Sequence, residues 1–255
     1  MRLLLAVALI SFHSLSGISQ PKPRAGSDRV KIRNQRIVLV RTGRLAQQFP
    51  ERRRAVIDLP ILSGLQPAVL RRVRTILTLK NIFETSLDEY REDNWLDELT
   101  YQVNFNQNHL LDITFTQSGS AAYPDSHSKH FAVDLKKGTV LKANDVFAAD
   151  KLGLLTEMVS SKLQEEVLEL IREVKKDPHM DQNESDSVVD ALQLQKFESE
   201  NLNEFEIGSR GLTFLYDAGF PHVIQALQPN GRYFFSYAEL KPFIRPDSAL
   251  GQFVR

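Results

Sequence analysis

Two histidines, His127 and His130, and the run Asp125-Ser126-His127 hold the residue types from which metal-dependent and hydrolytic sites are built. Their spacing argues against both uses. A separation of three shares one face of a helix, but these histidines open an alternating, strand-like run, where odd spacing sends side chains to opposite faces, so both read as solvated histidines and not as metal ligands. A Ser-His-Asp triad needs groups converging from separate places in the chain, which sequence neighbours do not do. The sequence also lacks a Gly-x-Ser-x-Gly elbow, a Gly-Lys-Ser/Thr phosphate loop, a His-Glu-x-x-His pair and a dinucleotide-binding glycine fingerprint. Absence of cysteine removes disulfides, thiol catalysis and cysteine-ligated metals. The 32 acidic side chains are too many to nominate a glycosidase pair, whose separation is a matter of geometry. No catalytic residue, metal site or cofactor is therefore expected.

Binding is the better-supported chemistry. The loop Gly119-Ser120-Ala121-Ala122-Tyr123-Pro124-Asp125 sets one aromatic and one proline among small residues, so a partner can approach its backbone closely. Gly119, Ser120, Tyr123, Pro124 and Asp125 are the candidate ligand-binding residues, joined by Phe220 and Pro221 of a later loop. Trp95, Tyr233 and Phe234 also stand near turns, but alternation assigns most such rings to a core.

The elements that must position these residues follow from hydrophobic period. Ile37-Val38-Leu39-Val40 and a run from Arg53 to Leu62 read as strands, with Pro60 marking an edge because it cannot donate to a ladder. Pro67 suits the first turn of a helix that Val69, Val73, Ile76, Leu77, Phe83, Leu87 and Tyr90 extend to about residue 90. Leu99, Tyr101, Val103 and Phe105 alternate with polar residues, turn at Asn106-Gln107-Asn108, and are answered by Leu111, Ile113 and Phe115, then by Phe131, Val133 and Leu135. A second long helix, capped by Asp150, carries Leu155, Val159, Leu163, Val167, Leu170 and Val174. A shorter helix lies around Ser187 to Phe197. Strands resume at Phe205 and Ile207, at Leu212, Phe214 and Tyr216, and at Tyr233 to Phe235. The fold class is α+β: an antiparallel sheet with two long helices packed on one face.

Three features bear on location. Met1-Arg2, the apolar run Leu3 to Ile10 and Phe12, and small residues Gly17 and Ser19 make a cleavable signal peptide of residues 1–19, too short for a membrane span. A basic leader and first strand occupy 20–55, and the folded domain 56–250. Zero formal net charge hides an asymmetry: Lys22 to Lys80 holds 15 basic and 3 acidic residues, Asp145 to Glu206 holds 6 basic and 16 acidic. These stretches are either solvated, or paired within the fold, or present a basic surface to anionic envelope polymers; a neutral pI and export disfavour nucleic acid.

The order of motifs resembles the extracytoplasmic domain of RsiV-type anti-sigma factors, which also accompanies PdaC-type peptidoglycan deacetylases. The resemblance runs from about residue 57 to 250. It is carried by Leu59-Pro60-Ile61-Leu62-Ser63-Gly64-Leu65, Tyr101 to Asn106, the Gly119 to Asp125 loop, Asp134-Leu135-Lys136-Lys137-Gly138, Asn144-Asp145-Val146-Phe147, and Asn203-Glu204-Phe205 with Gly211-Leu212-Thr213-Phe214. The late loop of that family is only loosely echoed from Gly219 to Gly231. The resemblance implies an RsiV-like sheet flanked by helices, and a role in binding a muramidase (a lysozyme-like, wall-lytic enzyme) or peptidoglycan. The expected function is a non-catalytic secreted or periplasmic binding domain; a small hydrolase of wall glycan and a structural envelope protein are the alternatives.

Overall fold

The computed structural model describes residues 28–93, 95–120 and 124–255, so the expected signal segment and Tyr123 lie outside the described residues. The α+β class holds. Strands β1 (Lys31–Val40), β2 (Arg54–Ser63), β3 (Leu96–Gln107), β4 (Leu110–Ser120), β5 (Pro124–Asp134) and β6 (Thr139–Val140) form one sheet in that order. All neighbours are antiparallel except β2 and β3, which run parallel through Val56↔Glu98 and Ile57↔Leu99. The short helix α1 (Gly43–Gln48) bridges β1 to β2. Pro60 is therefore not on an edge strand. It is tolerated because the parallel seam covers only residues 56 and 57, leaving the Pro60 side of β2 free of ladder bonds.

Between β2 and β3 the expected single helix divides into α2 (Pro67–Ile76), α3 (Leu79–Phe83) and α4 (Leu87–Glu92). Most of the stripe survives the break, since Val69, Val73, Leu77 and Tyr90 are buried and Ile76, Phe83 and Leu87 are partly buried, while Ile82 takes the buried place in α3. The interruption has local causes. Glu84 adopts φ 57°, and the Ser86 hydroxyl accepts from the Glu89 N–H while the Glu89 carboxylate accepts from the Ser86 N–H, starting a new helix. These helices cover the face of the sheet that carries Leu39, Ile57, Leu99, Ile113, Phe115 and Val133.

Two bulges reset β3. Register shifts at Asp97 and at Asn104 leave Leu99, Tyr101 and Val103 against α2–α4 but turn Phe105 to the opposite face. Simple alternation had put all four on one side. The hairpin turns at Asn108 and His109, both with positive φ, as a two-residue connection of right-handed strands requires.

After α5 (Ala143–Val146) comes the one long helix, α6 (Leu152–Val174), of 23 residues. Leu155, Val159, Leu163 and Val167 are buried along it at the expected spacing. Asp150 does not cap it, lying instead in a 3-10 turn, Ala149–Lys151. Helix α7 (Gln182–Gln193) starts five residues earlier than the pattern suggests, because Asp181 accepts from the Glu184 N–H. The remaining strands, β7 (Phe205–Ile207), β8 (Gly211–Leu215) and β9 (Arg232–Ser236), form a separate three-stranded antiparallel sheet, and α8 (Tyr237–Leu240) follows. Phe205, Ile207, Leu212, Phe214 and Phe235 bury themselves with α6 and α7, a core distinct from that under α2–α4.

One buried carboxylate ties the sheets together. Asp112, wholly buried on β4, accepts from Asn104 Nδ2 at 2.8 Å and from the Ile207 N–H of β7 at 2.7 Å, and its Oδ1 is 2.8 Å from His130 Nε2. His130, whose side chain is 6 % exposed, is thus a buried partner and not the solvated histidine its sequence context suggests. His127, on the other face, is 59 % exposed.

Replacing Asp112 by Ala removes the shared acceptor of the Ile207 N–H, His130 and Asn104, of which Asn104 keeps Thr114, and should lower unfolding free energy by about 3 kcal/mol, read by urea denaturation. A second prediction concerns β1 and β2. Hydrogen bonds from Arg36 and Asn34 hold the Asp58 carboxyl below the usual carboxylate range. That stabilisation is complete above the ordinary carboxylate pKa and is lost as pH falls through the depressed value. Arg36→Gln should raise the Asp58 pKa in an NMR titration and flatten the acid limb of the stability curve.

Candidate functional site

The ends of β4 and β5 frame an open groove of about 470 Å³. Strand register sets its floor: Ser118 faces Ser126, Gly119 faces Asp125 and Ser120 faces Pro124. Asp97, at the first bulge of β3, lines one part, and Gln225, from the 3-10 turn His222–Leu227, lines another. His222 Nε2 lies 3.2 Å from the Pro124 carbonyl, which tethers that turn to the strand tip.

Close backbone approach shapes this corner. A Cβ on Gly119 would lie 1.9 Å from the Trp95 carbonyl oxygen, so only glycine lets β4 pass there. The Ser120 N–H donates to that same carbonyl at 3.0 Å, and the Arg52 guanidinium donates to the Ser120 carbonyl. Behind it Arg41, 1 % exposed, donates to the carbonyls of Tyr90, Asp93, Arg52 and Leu96. Burial lowers the Arg41 pKa, opposed by the nearby charges of Asp93 and Asp97. A guanidinium has the donors to satisfy four carbonyls at once; an ammonium has three.

Asp125 Oδ2 lies 3.0 Å from His127 Nε2, and the His127 ring packs on Trp95 with centroids 5.7 Å apart. Gln117, opposite His127, accepts from the Tyr90 hydroxyl, whose pKa burial pushes up. Ser126 points to the other face of β5 from His127. Among the described residues no hydrogen bond joins a groove hydroxyl to either histidine, and no group of three or more His, Asp or Glu is placed to hold a metal. What converges is a set of hydrogen-bonding groups: hydroxyls at 118, 120 and 126, carboxylates at 97 and 125, and the Gln225 amide. The row continues along the strands through Thr116 and Ser128, whose oxygens are 2.9 Å apart, towards His130 and Asp112.

Of the residues singled out by sequence, Gly119, Ser120, Pro124 and Asp125 come together in this groove. Pro221 is the exposed residue before the turn that carries Gln225. Phe220 is 8 % exposed and belongs to the core around α6, because the loop it occupies is folded inward. Tyr233 is buried with its hydroxyl on Glu166, and Phe234 is 44 % exposed. Asp97, Ser118, Ser126 and Gln225 were missed. The first three follow once the strand register is known; nothing local marks Gln225.

The fold as a whole is similar to a solved structure. A crystal structure of a DUF3298 family protein from Pseudomonas aeruginosa PAO1 superposes with a TM-score of 0.53 at 12 % identity, covering 90 % of this chain and 97 % of that one. The fold is that of a DUF3298 family protein. A member of the same family from Bacteroides fragilis NCTC 9343 aligns at 15 % identity with a TM-score of 0.48, over 89 % and 98 % of the two chains. No protein-family model matches the sequence, and no curated protein matches it. The DUF3298 likeness establishes the fold alone. Among the described residues no helix is long and apolar enough to cross a membrane.

Gly119→Ala should force β4 from the Trp95 backbone and cost about 1–3 kcal/mol of stability, as overpacking does. Near-ultraviolet circular dichroism of Trp95, the single tryptophan, reads the displacement directly.

Proposed function

We propose that this protein is a non-catalytic binding domain that works outside the cytoplasm, after removal of residues 1–19, and that residues 56–250 carry the binding. The ligand is a cell-envelope component, met in the groove at the tips of β4 and β5. The observation that carries this reading is the groove lining. Hydroxyls, carboxylates and an amide continue along a strand pair as a row of hydroxyls, a surface suited to an extended polymer rich in hydroxyl and amide groups, such as peptidoglycan. The resemblance to RsiV-type and PdaC-type domains points to the same class of ligand.

A second reading has its own support. Val223 is 90 % exposed on the turn that carries Gln225. An apolar side chain beside a polar groove suits a protein surface, and a wall-lytic enzyme of the muramidase type is the partner implied.

Co-sedimentation with purified peptidoglycan, and capture on immobilised muramidase, test the two readings side by side. Retention on peptidoglycan should fall about three- to tenfold for Ser118→Ala with Gln225→Ala, the loss of one or two hydrogen bonds. Val223→Ser should weaken muramidase capture alone. Retention of the wild-type protein by neither would remove both ligands.

A further inference from the structure

Apart from the buried Arg41, the basic stretch of the chain keeps its charge at the surface, in the arginines of helix α2 and its neighbours. Its described ion pairs, Arg29–Asp28, Arg36–Asp58 and Arg52–Glu51, close locally, none of them with the acidic stretch from Asp145 to Glu206. Helix α2 carries Arg71, Arg72 and Arg74 without an acidic residue. Beside it lies a second cavity, of about 570 Å³, between α2 and the turn into β6. That volume is within the range of small-molecule pockets, about 300–1,000 Å³.

Its walls differ in kind from those of the first groove. Ile76 and Val140 give apolar surface, Thr75 and Thr139 hydroxyls, and Arg71 and Arg72 two cations; no carboxylate lines it. Among the described residues neither arginine has a carboxylate partner. Arg72 Nε donates to the Lys137 carbonyl at 2.7 Å, which fixes the plane of the guanidinium and leaves its terminal nitrogens for another acceptor. The turn that borders the open cavity is held by hydrogen bonds and close packing. Asp134 Oδ1 accepts from the N–H groups of Lys136 and Lys137, and Gly138 sits at φ 69°, where a Cβ would come within 3.1 Å of Arg72 Cβ and the Val69 carbonyl. Lys136 and Lys137 are exposed on this turn and add to the positive field.

We propose that this cavity binds a small organic anion with an apolar body, a straight-chain carboxylate or alkyl phosphate. The head group sits on Arg71 and Arg72 and the chain lies along Ile76 and Val140. Planar guanidinium groups match carboxylate and phosphate oxygens, and the apolar wall gives affinity that a bare anion would lack. This site is independent of the groove at the β4–β5 tips.

Calorimetric titration with octanoate and with octyl phosphate should give saturable one-site binding, and titration with 1-octanol none. Arg71→Gln with Arg72→Gln should weaken binding by about tenfold or more, the loss of charge-assisted hydrogen bonds, and Lys80→Gln, an exposed cation outside the cavity, should leave it unchanged. Absence of saturable binding, equal binding of octanol, or unchanged affinity in the double variant would overturn the proposal. Vesicles of anionic phospholipid separate the sources of the ligand. Vesicle binding that octanoate displaces and that needs both arginines assigns the head group to a lipid; displaceable octanoate binding without vesicle binding assigns it to a free anion. Vesicle binding alone, indifferent to octanoate, is adsorption to a basic surface and overturns the cavity assignment.

Discussion

The carboxylate of Asp112 joins the two sheets, and the layout of the molecule follows from satisfying it. A charge with no solvent contact costs several kcal/mol of desolvation unless donors surround it. Three elements supply them: the bulge of β3 through Asn104, β5 through His130, and β7 through the Ile207 backbone. The extra residue at Asn104 explains why β3 changes face there, since the same irregularity brings an amide to the carboxylate and sends Phe105 into the core around α6. Once Ile207 is fixed, the three-stranded sheet has its place against β5.

The opposite end of β3–β5 is organised by a second buried ion, the Arg41 guanidinium. It gathers four carbonyls from the end of α4, the segment before β2 and the start of β3, and so sets where Trp95 meets Gly119. The strand tips are held by backbone contacts at a glycine, with serine hydroxyls and the Asp97 carboxylate on the lining, while the Asp125 carboxylate is engaged by His127 and the Ser126 N–H. Both ends thus use the same physics: a polar group taken out of water dictates the path of the backbone around it.

Much of this was legible in the chain. Alternation marked the inner halves of β4 and β5, though both strands run on into residues that read as a loop, and a three-four spacing marked α6, because each buries one continuous stripe whose period is the element's own. The small-residue loop from Gly119 to Asp125 was legible as a place of close approach, and four of its residues do line the groove. The break of the helix at Glu84 left a readable trace in the Ser86-x-x-Glu89 capping pair, which the apolar stripe overrode. The bulges at Asp97 and Asn104 left none, since a bulge is a relation between two strands and not a property of one. His130 was misread as solvated for the same reason: its partner lies 18 residues away on β4. Division into two sheets, and the arrival of Gln225 at the strand tips, depend on contacts about a hundred residues apart, beyond any local pattern.

The parallel seam between β2 and β3 has a dynamic consequence. Only two residue pairs join the β1–β2 ribbon to the rest of its sheet, while ten join β1 to β2. Beyond that seam the ribbon is held by the apolar undersides of α2 to α4, by Arg41 on the Leu96 carbonyl and by the paired hydrogen bonds of Val30 with Asn106, so exchange of its amide hydrogens reads side-chain packing as well as the ladder. The molecule can loosen at this seam while the hairpins on the far side keep their register.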